Sequence, residues 1–243
     1  MKQLTWAFTK HVYGKCDVIT TPTNVLAKEL EAHGFNHVRV LTNSIDYELF
    51  SRAKAKKRKK SFDTIRLLYF GRVSFEKRID VALEALFLLR KKHPHVELSI
   101  IGSGPAEESL KKQVRELGIE KNVHFPGAFC GKALVERVKQ HNILIAPSPM
   151  ETQGLYVLEG MAAGLAVVGC NARAIPVALG KNERGLLFDA NSPEDCAAKI
   201  EKLMEHPALR KKLSLAGKKW VRQFSKKTIA KEWLALYHRA ISQ

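Results

Sequence analysis

The sequence predicts an α/β protein: a parallel sheet with helices on both faces. Three observations lead there. From Thr64 onward, short apolar runs (Ile65–Phe70, Val96–Ile101, Ile143–Ala146) alternate with stretches whose apolar residues recur at helical spacing. Within these runs, Leu67–Phe70 and Ile143–Ala146 are apolar on consecutive positions, the pattern of strands buried on both faces. The intervals between them are long enough for crossover helices, which parallel pairing requires.

Each element has its local justification. Lys2–Tyr13 reads as a short helix carrying Leu4, Trp6, Phe8 and Val12, and Asp17–Thr20 as a strand. Pro22, behind Thr21 as N-cap, opens a helix that runs to about His33 and stops at Gly34. His37–Leu41 is a strand, Asn43–Phe50 a loop, and Arg52–Lys60 a basic linker. Beyond it, the strand Ile65–Phe70 precedes a helix over Glu76–Lys92, apolar at Ile79, Ala82, Leu83, Leu86 and Leu89. Val96–Ile101 is followed by a Gly102-Ser103-Gly104-Pro105 turn and a helix that Gly118 stops. Asn122–Phe125, Ile143–Ala146, Ala166–Gly169 and Gly185–Phe188 are strands, and Lys132–His141 is a helix. Leu155, Leu158, Met161, Ala162 and Leu165 mark another helix, whose one charge is Glu159. Ser192 caps a helix over Pro193–Met204, with Asp195 as an approximate capping-box partner. Helices over Ala208–Phe224 and Lys227–Ile241 complete the chain. The domain reading is therefore residues 1–50, a linker at 51–63, a Rossmann-like domain at 64–224, and a terminal helix at 225–243.

Composition narrows the classes of function. With 45% hydrophobic and 27% charged residues among 243, the chain is globular. No apolar run approaches the roughly 20 residues of a membrane span, and Met1–Tyr13 lacks the pattern of a signal peptide. The chain reads as cytoplasmic. Cys16, Cys130, Cys170 and Cys196 are widely separated with no CxxC, so zinc and disulfide frameworks are set aside. The net charge of +17 calls for an anionic partner: a phosphorylated small molecule, an anionic membrane surface or nucleic acid. The run Arg52–Lys60 is open to reading as a solvated linker, a headgroup contact or a nucleic-acid contact. No aromatics interleave in it, which counts against base stacking.

Four strand-exit loops carry the candidate chemistry, all on the carboxyl edge where parallel sheets bind ligands. After the first strand of the regular part, Gly71 allows a tight exit, and Arg72 and Lys77 place two cations near a helix start, an arrangement suited to a diphosphate. Gly102 and Gly104 permit close backbone approach to a phosphate or sugar, or simply a tight turn. The third glycine position of a dinucleotide fingerprint is Glu107, and no acidic residue follows in register, so a nicotinamide is excluded. Phe125–Phe129 either flanks a base or packs. The fourth loop holds Glu151, Gln153, Gly154 and Leu155, followed by Glu159. A buried lone carboxylate costs several kcal/mol, so Glu159 faces either water or a polar ligand in a cleft.

Arg72 with Lys77, the Gly-Ser-Gly-Pro turn and the Glu151-x7-Glu159 pair, in this order and spacing, resemble the donor-binding C-terminal half of the retaining GT-B glycosyltransferases of family 4. Arg184–Phe188 with Ser192–Asp195, and Asn43-Ser44-Ile45-Asp46, extend the resemblance. Tyr156 stands where the family commonly has proline or serine, and Val177 where it has a carboxylate. The resemblance implies transfer of a hexose, with retention, from a nucleoside-diphosphate sugar to an acceptor, with a lipid-linked acceptor as one option. It casts Arg72, Lys77 and Glu151 as catalytic. It gives donor binding to Gly71, Arg72, Lys77, Gly102, Gly104, Phe129, Glu151, Gln153, Gly154, Leu155 and Glu159. Arg72 and Lys77 would hold the diphosphate, Glu159 the ribose, Glu151 the transferred sugar, and Phe129 would border the base. No metal or other cofactor is implied. Residues 1–50 would be a remnant of a first domain that supplies the acceptor site, so a truncated enzyme, or a separate N-terminal GT-B half as partner, is expected. An anionic inner membrane face is a further possible partner. The rival readings are a non-catalytic nucleotide-sugar-binding module and, more weakly, a basic nucleic-acid-binding protein.

Overall fold

The computed structural model describes residues 2–52 and 65–242, with the side chains of residues 2–4 excepted. The basic linker therefore lies outside the described residues, save Ser51 and Arg52. The chain forms two compact units, one of Met1–Ile45 with Gln223–Gln243 and one of Asp46–Arg222. The C-terminal helix thus groups with the first 45 residues and residues 46–50 with the large unit, whereas the sequence suggested divisions at 50 and 224.

The small unit contains α1 (Lys2–Tyr13), β1 (Ile19–Thr21), α2 (Asn24–Ala32), β2 (Val38–Val40) and the C-terminal helix α11 (Lys226–Ile241). β1 and β2 pair in parallel, Ile19 opposite Val38 and Thr21 opposite Val40. Ala27, Phe35 and Val38 form a small core backed by Trp6, Ile19 and Leu30. α2 starts at Asn24, later than Pro22, because Thr21 is the last residue of β1 and its hydroxyl donates to Thr23 O rather than capping a helix.

The large unit opens with α3 (Tyr47–Arg52) in a stretch that reads as loop. Its start is set by Asp46, whose Oδ1 accepts the Leu49 N–H at 3.1 Å, and Phe50 anchors it in the core. Then follow β3 (Arg66–Phe70), α4 (Ile79–Leu89), β4 (Glu97–Ile101), α5 (Glu107–Glu116), β5 (Val123–Gly127), α6 (Gly131–Val138) and β6 (Ile143–Ala146). The rest is α7 (Leu155–Ala163), β7 (Ala166–Cys170), α8 (Ile175–Leu179), β8 (Leu186–Phe188), α9 (Pro193–Glu205) and α10 (Pro207–Trp220). All six strands run parallel in the order β5-β4-β3-β6-β7-β8. β6 and β7 are buried throughout, as their unbroken apolar runs require.

Three local features of the large unit differ from the sequence reading. The helix placed at Glu76 begins at Ile79, because Phe75–Lys77 forms a 3-10 turn and Arg78 takes a left-handed conformation (φ 50°) before α4. Residues 175–179, to which the sequence reading assigned no element, form α8 with Ile175, Ala178 and Leu179 buried. At α9, Ser192 Oγ accepts the Asp195 N–H at 3.1 Å as expected, but the Asp195 carboxylate takes the Asp189 N–H at 2.9 Å.

Candidate functional site

The strand order reverses between β3 and β6. β4 and β5 lie beyond β3 on one side, and β7 and β8 beyond β6 on the other. The loops leaving two such strands diverge and leave a crevice at their carboxyl ends. Here the crevice is bridged: Lys77 Nζ, in the turn after β3, donates to Glu151 Oε1, in the loop after β6, at 2.7 Å. The Glu151 side chain is buried, and this partner offsets the desolvation of its charge. Ser148, fully buried, ties the same two loops by donating to Glu76 O at 3.3 Å.

Beside this pair lies a cleft of about 330 Å³, lined by Gly71, Arg72, Gly102, Ser103, Phe129, Tyr156 and Glu159 among others. Its floor is two loops locked together. Gly71 N–H donates to Ile101 O at 2.9 Å and Val73 N–H to Ser103 O at 3.0 Å. A Cβ at Gly102 would stand 1.9 Å from Gly71 O, and one at Gly104 2.3 Å from Val73 O. Both glycines therefore have a packing reason, and Gly102 in addition faces the cleft. Arg72 is an exposed residue of the cleft lining, and its carbonyl accepts the Tyr69 hydroxyl at 2.7 Å. The Phe129 ring is covered by the Arg137 guanidinium at 3.8 Å, which presents an aromatic edge carrying a cation.

Gly154 is the N-cap of α7, in a left-handed conformation (φ 72°) that favours glycine, and no side chain caps the helix. The helix start directly follows the loop containing Glu151 and the buried Gln153, and its Val157 N–H bonds Gly154 O at 2.9 Å. Leu155 itself is exposed. One turn further on, Glu159 lines the cleft, which answers whether it meets solvent or a site. Burial pushes its pKa up to about 7, and the Asp46 carboxylate adds to the shift. Asp46 was legible only as part of the Asn-Ser-Ile-Asp motif; its nearness to Glu159 was not.

The structure thus groups Arg72, Gly71, Gly102, Phe129 and Glu159 about one cleft and joins Lys77 to Glu151 beside it. One other cluster among the described residues, His93 with Glu201 and Glu205, has ligand-type atoms within 4.8 Å of one another. There Glu201 Oε1 is already engaged by Lys92 at 3.3 Å and His93 at 3.1 Å. No helix among the described residues is long and apolar enough to cross a membrane.

Residues 51–220 match the family described as Glycosyl transferases group 1. Among similar proteins is the sulfoquinovosyl transferase SQD2 of Arabidopsis thaliana, 28% identical over 230 residues, covering 88% of this chain and 42% of that protein. A D-inositol 3-phosphate glycosyltransferase of Arthrobacter sp. (strain FB24) is 27% identical over 237 residues, covering 93% and 56%. The chain therefore spans about half the length of these curated relatives. Among solved structures, Anabaena Alr3699/HepE in complex with UDP superposes with a TM-score of 0.86 at 16% identity, over 98% of this chain and 68% of that one. Sucrose-phosphate synthase (tll1590) of Thermosynechococcus elongatus does so at 0.84 and 21%, over 99% and 62%. The parallel sheet, its switch-point crevice and the family match together place this chain in the group 1 glycosyltransferases, with a GT-B fold.

Proposed function

We propose that this chain carries the donor side of a retaining hexosyltransferase and binds a nucleoside-diphosphate sugar. The observation that supports this most directly is the convergence, at the strand-order reversal, of Arg72 and Glu159 on one cleft beside the paired Lys77 and Glu151. Arg72 and Lys77 hold the diphosphate and stabilise the negative charge that develops as the nucleoside diphosphate leaves. Glu159 accepts hydrogen bonds from the ribose hydroxyls, and Glu151 from hydroxyls of the transferred sugar. Phe129 borders the base. The α7 amides around Gln153, Gly154 and Leu155 hold sugar and phosphate. HepE, similar in fold, was solved with UDP and with UDP-glucose, which supports the ligand class. Two cations and a helix start take the place that a metal has in other transferases, so donor binding is expected to survive EDTA. Transfer requires an acceptor-side domain, on the same or another polypeptide.

Calorimetric titration with UDP, GDP and their sugars tests the reading; absence of binding at millimolar concentration sinks it. Glu159→Gln is expected to weaken donor binding by about 1–3 kcal/mol through a lost charge-assisted hydrogen bond. Arg72→Ala is expected to weaken UDP more than uridine, and equal losses would contradict the diphosphate role. The basic surface fits an anionic membrane carrying a lipid acceptor. Co-sedimentation with anionic but not neutral vesicles is the expected result.

A further inference from the structure

Phe129 brings an aromatic ring to the lining of the cleft from the loop of residues 128–130, between β5 and α6. Glycines bound that loop on both sides, Gly127 at φ 83° and Gly131 at φ 55°. A Cβ on either would meet nothing within 4 Å, so these glycines serve the backbone conformation and not packing. Phe129 is half-buried, and Ala128 and Cys130 beside it are exposed. The Arg137 guanidinium carbon lies 3.8 Å from the centre of the Phe129 ring, well inside the roughly 6 Å reach of a cation–π contact.

Arg137 belongs to the lining of a neighbouring groove of about 380 Å³, with Ser99, His124 and Pro126, and the two linings have Ile101 in common. The guanidinium therefore covers the ring from the groove and leaves its cleft side open. The backbone that carries Arg137 is anchored. Val135 and Val138, on either side of it in α6, are fully buried, and the Arg137 carbonyl accepts the Gln140 N–H at 3.0 Å. A planar guanidinium on such a helix stacks well against an aromatic face. An aromatic side chain on a loop with a glycine at each end loses freedom when it packs on a ligand. A cation held against its far side imposes that loss before the ligand arrives, which favours binding.

We infer that Arg137 is a positioning residue for the base end of the donor: it holds the Phe129 ring as a fixed wall against which the base packs. The inference rests on the donor-site reading above, in which Phe129 borders the base. It separates two kinds of cation at this site. Arg72 and Lys77 act on the diphosphate, whereas Arg137 acts through a ring and reaches no phosphate. Its removal is therefore felt equally by a neutral nucleoside and by the corresponding nucleotide, the opposite of the pattern expected for Arg72→Ala.

The test titrates wild type, Arg137→Gln and Arg137→Lys with UDP and GDP, with uridine and guanosine, and with inorganic pyrophosphate. Thermal unfolding is followed without ligand. Arg137→Gln should melt as wild type does. It should bind the preferred nucleotide and its nucleoside more weakly by one common factor, about three- to fivefold. Pyrophosphate, which has no base, should bind it as it binds wild type. Arg137→Lys keeps a cation for the ring and should recover most of the loss. In a Phe129→Ala background Arg137→Gln should add nothing. A loss for nucleotide and pyrophosphate but not for nucleoside makes Arg137 a surface charge that attracts anions, and overturns the inference. A lower melting temperature with equal weakening of all ligands assigns Arg137 to packing and overturns it too. Unaltered nucleotide and nucleoside binding, or an undiminished loss in the Phe129→Ala background, overturns it and leaves the donor-site reading standing. Wild type that binds no nucleoside diphosphate removes the donor-site reading, and this inference with it.

Discussion

Glu159 shows how one side chain marks a cleft. Its helix is otherwise apolar, and burial raises its pKa to about 7. The folded protein therefore keeps this proton across a pH range in which the unfolded chain has released it. Where the folded state binds more protons, stability falls as pH rises. The decline attributable to Glu159 starts near the ordinary carboxylate pKa and is complete above about pH 7. Glu159→Gln should remove it. In urea unfolding, wild type is expected to lose about 2–3 kcal/mol relative to the variant between pH 4 and pH 8. Parallel pH curves would mean that the carboxylate is solvated. The odd carboxylate was visible in the sequence. The influence of the Asp46 carboxylate on it was not, because nothing local connects a motif ahead of the linker to a helix far beyond it.

At the scale of elements, two substitutions separate local from tertiary causes. Ser192 caps α9 through a bond to a residue three positions on, and the sequence pattern alone revealed it. Ser192→Ala should lower stability by about 1 kcal/mol in urea unfolding, with donor binding unchanged. Gly102 was equally visible, yet its reason lies in another loop: a Cβ there would meet Gly71 O at 1.9 Å. Gly102→Ala should lose about 3 kcal/mol, since either backbone must shift, and should also disturb donor binding. An unchanged melting temperature for Gly102→Ala would show that the two loops are not locked. α3 and α8 were missed because each is a single short turn or two, below the length at which apolar periodicity speaks.

At the scale of the molecule, the two units differ in how much they bury. The large unit packs a six-stranded sheet whose central strands are fully covered. The small unit has two three-residue strands and a core of a few side chains, and it leaves Phe8, Leu234, Tyr237 and Ile241 exposed. Local opening should follow that difference. Amides of β1 and β2 are expected to exchange at least about a hundredfold faster than those of β3 and β6. Equal protection in the two sheets would contradict the division. The excess of cations acts at this scale as well. It should draw an anionic donor to the surface, with an association rate that falls as salt rises.

The sequence by itself determined the order and kind of most elements, the strand-exit loops and the set of residues at the carboxyl edge of the sheet. Those properties are written in local periodicity, caps and glycine positions, each settled by neighbours a few residues away. Only the tertiary structure decided that Lys77 meets Glu151, residues 74 positions apart, across a reversal of strand order. Only it set Asp46 against Glu159 and left the Tyr156 hydroxyl without an acceptor. Which strands lie side by side is chosen by burying both faces of the sheet at once, a condition on the whole chain that no single segment contains.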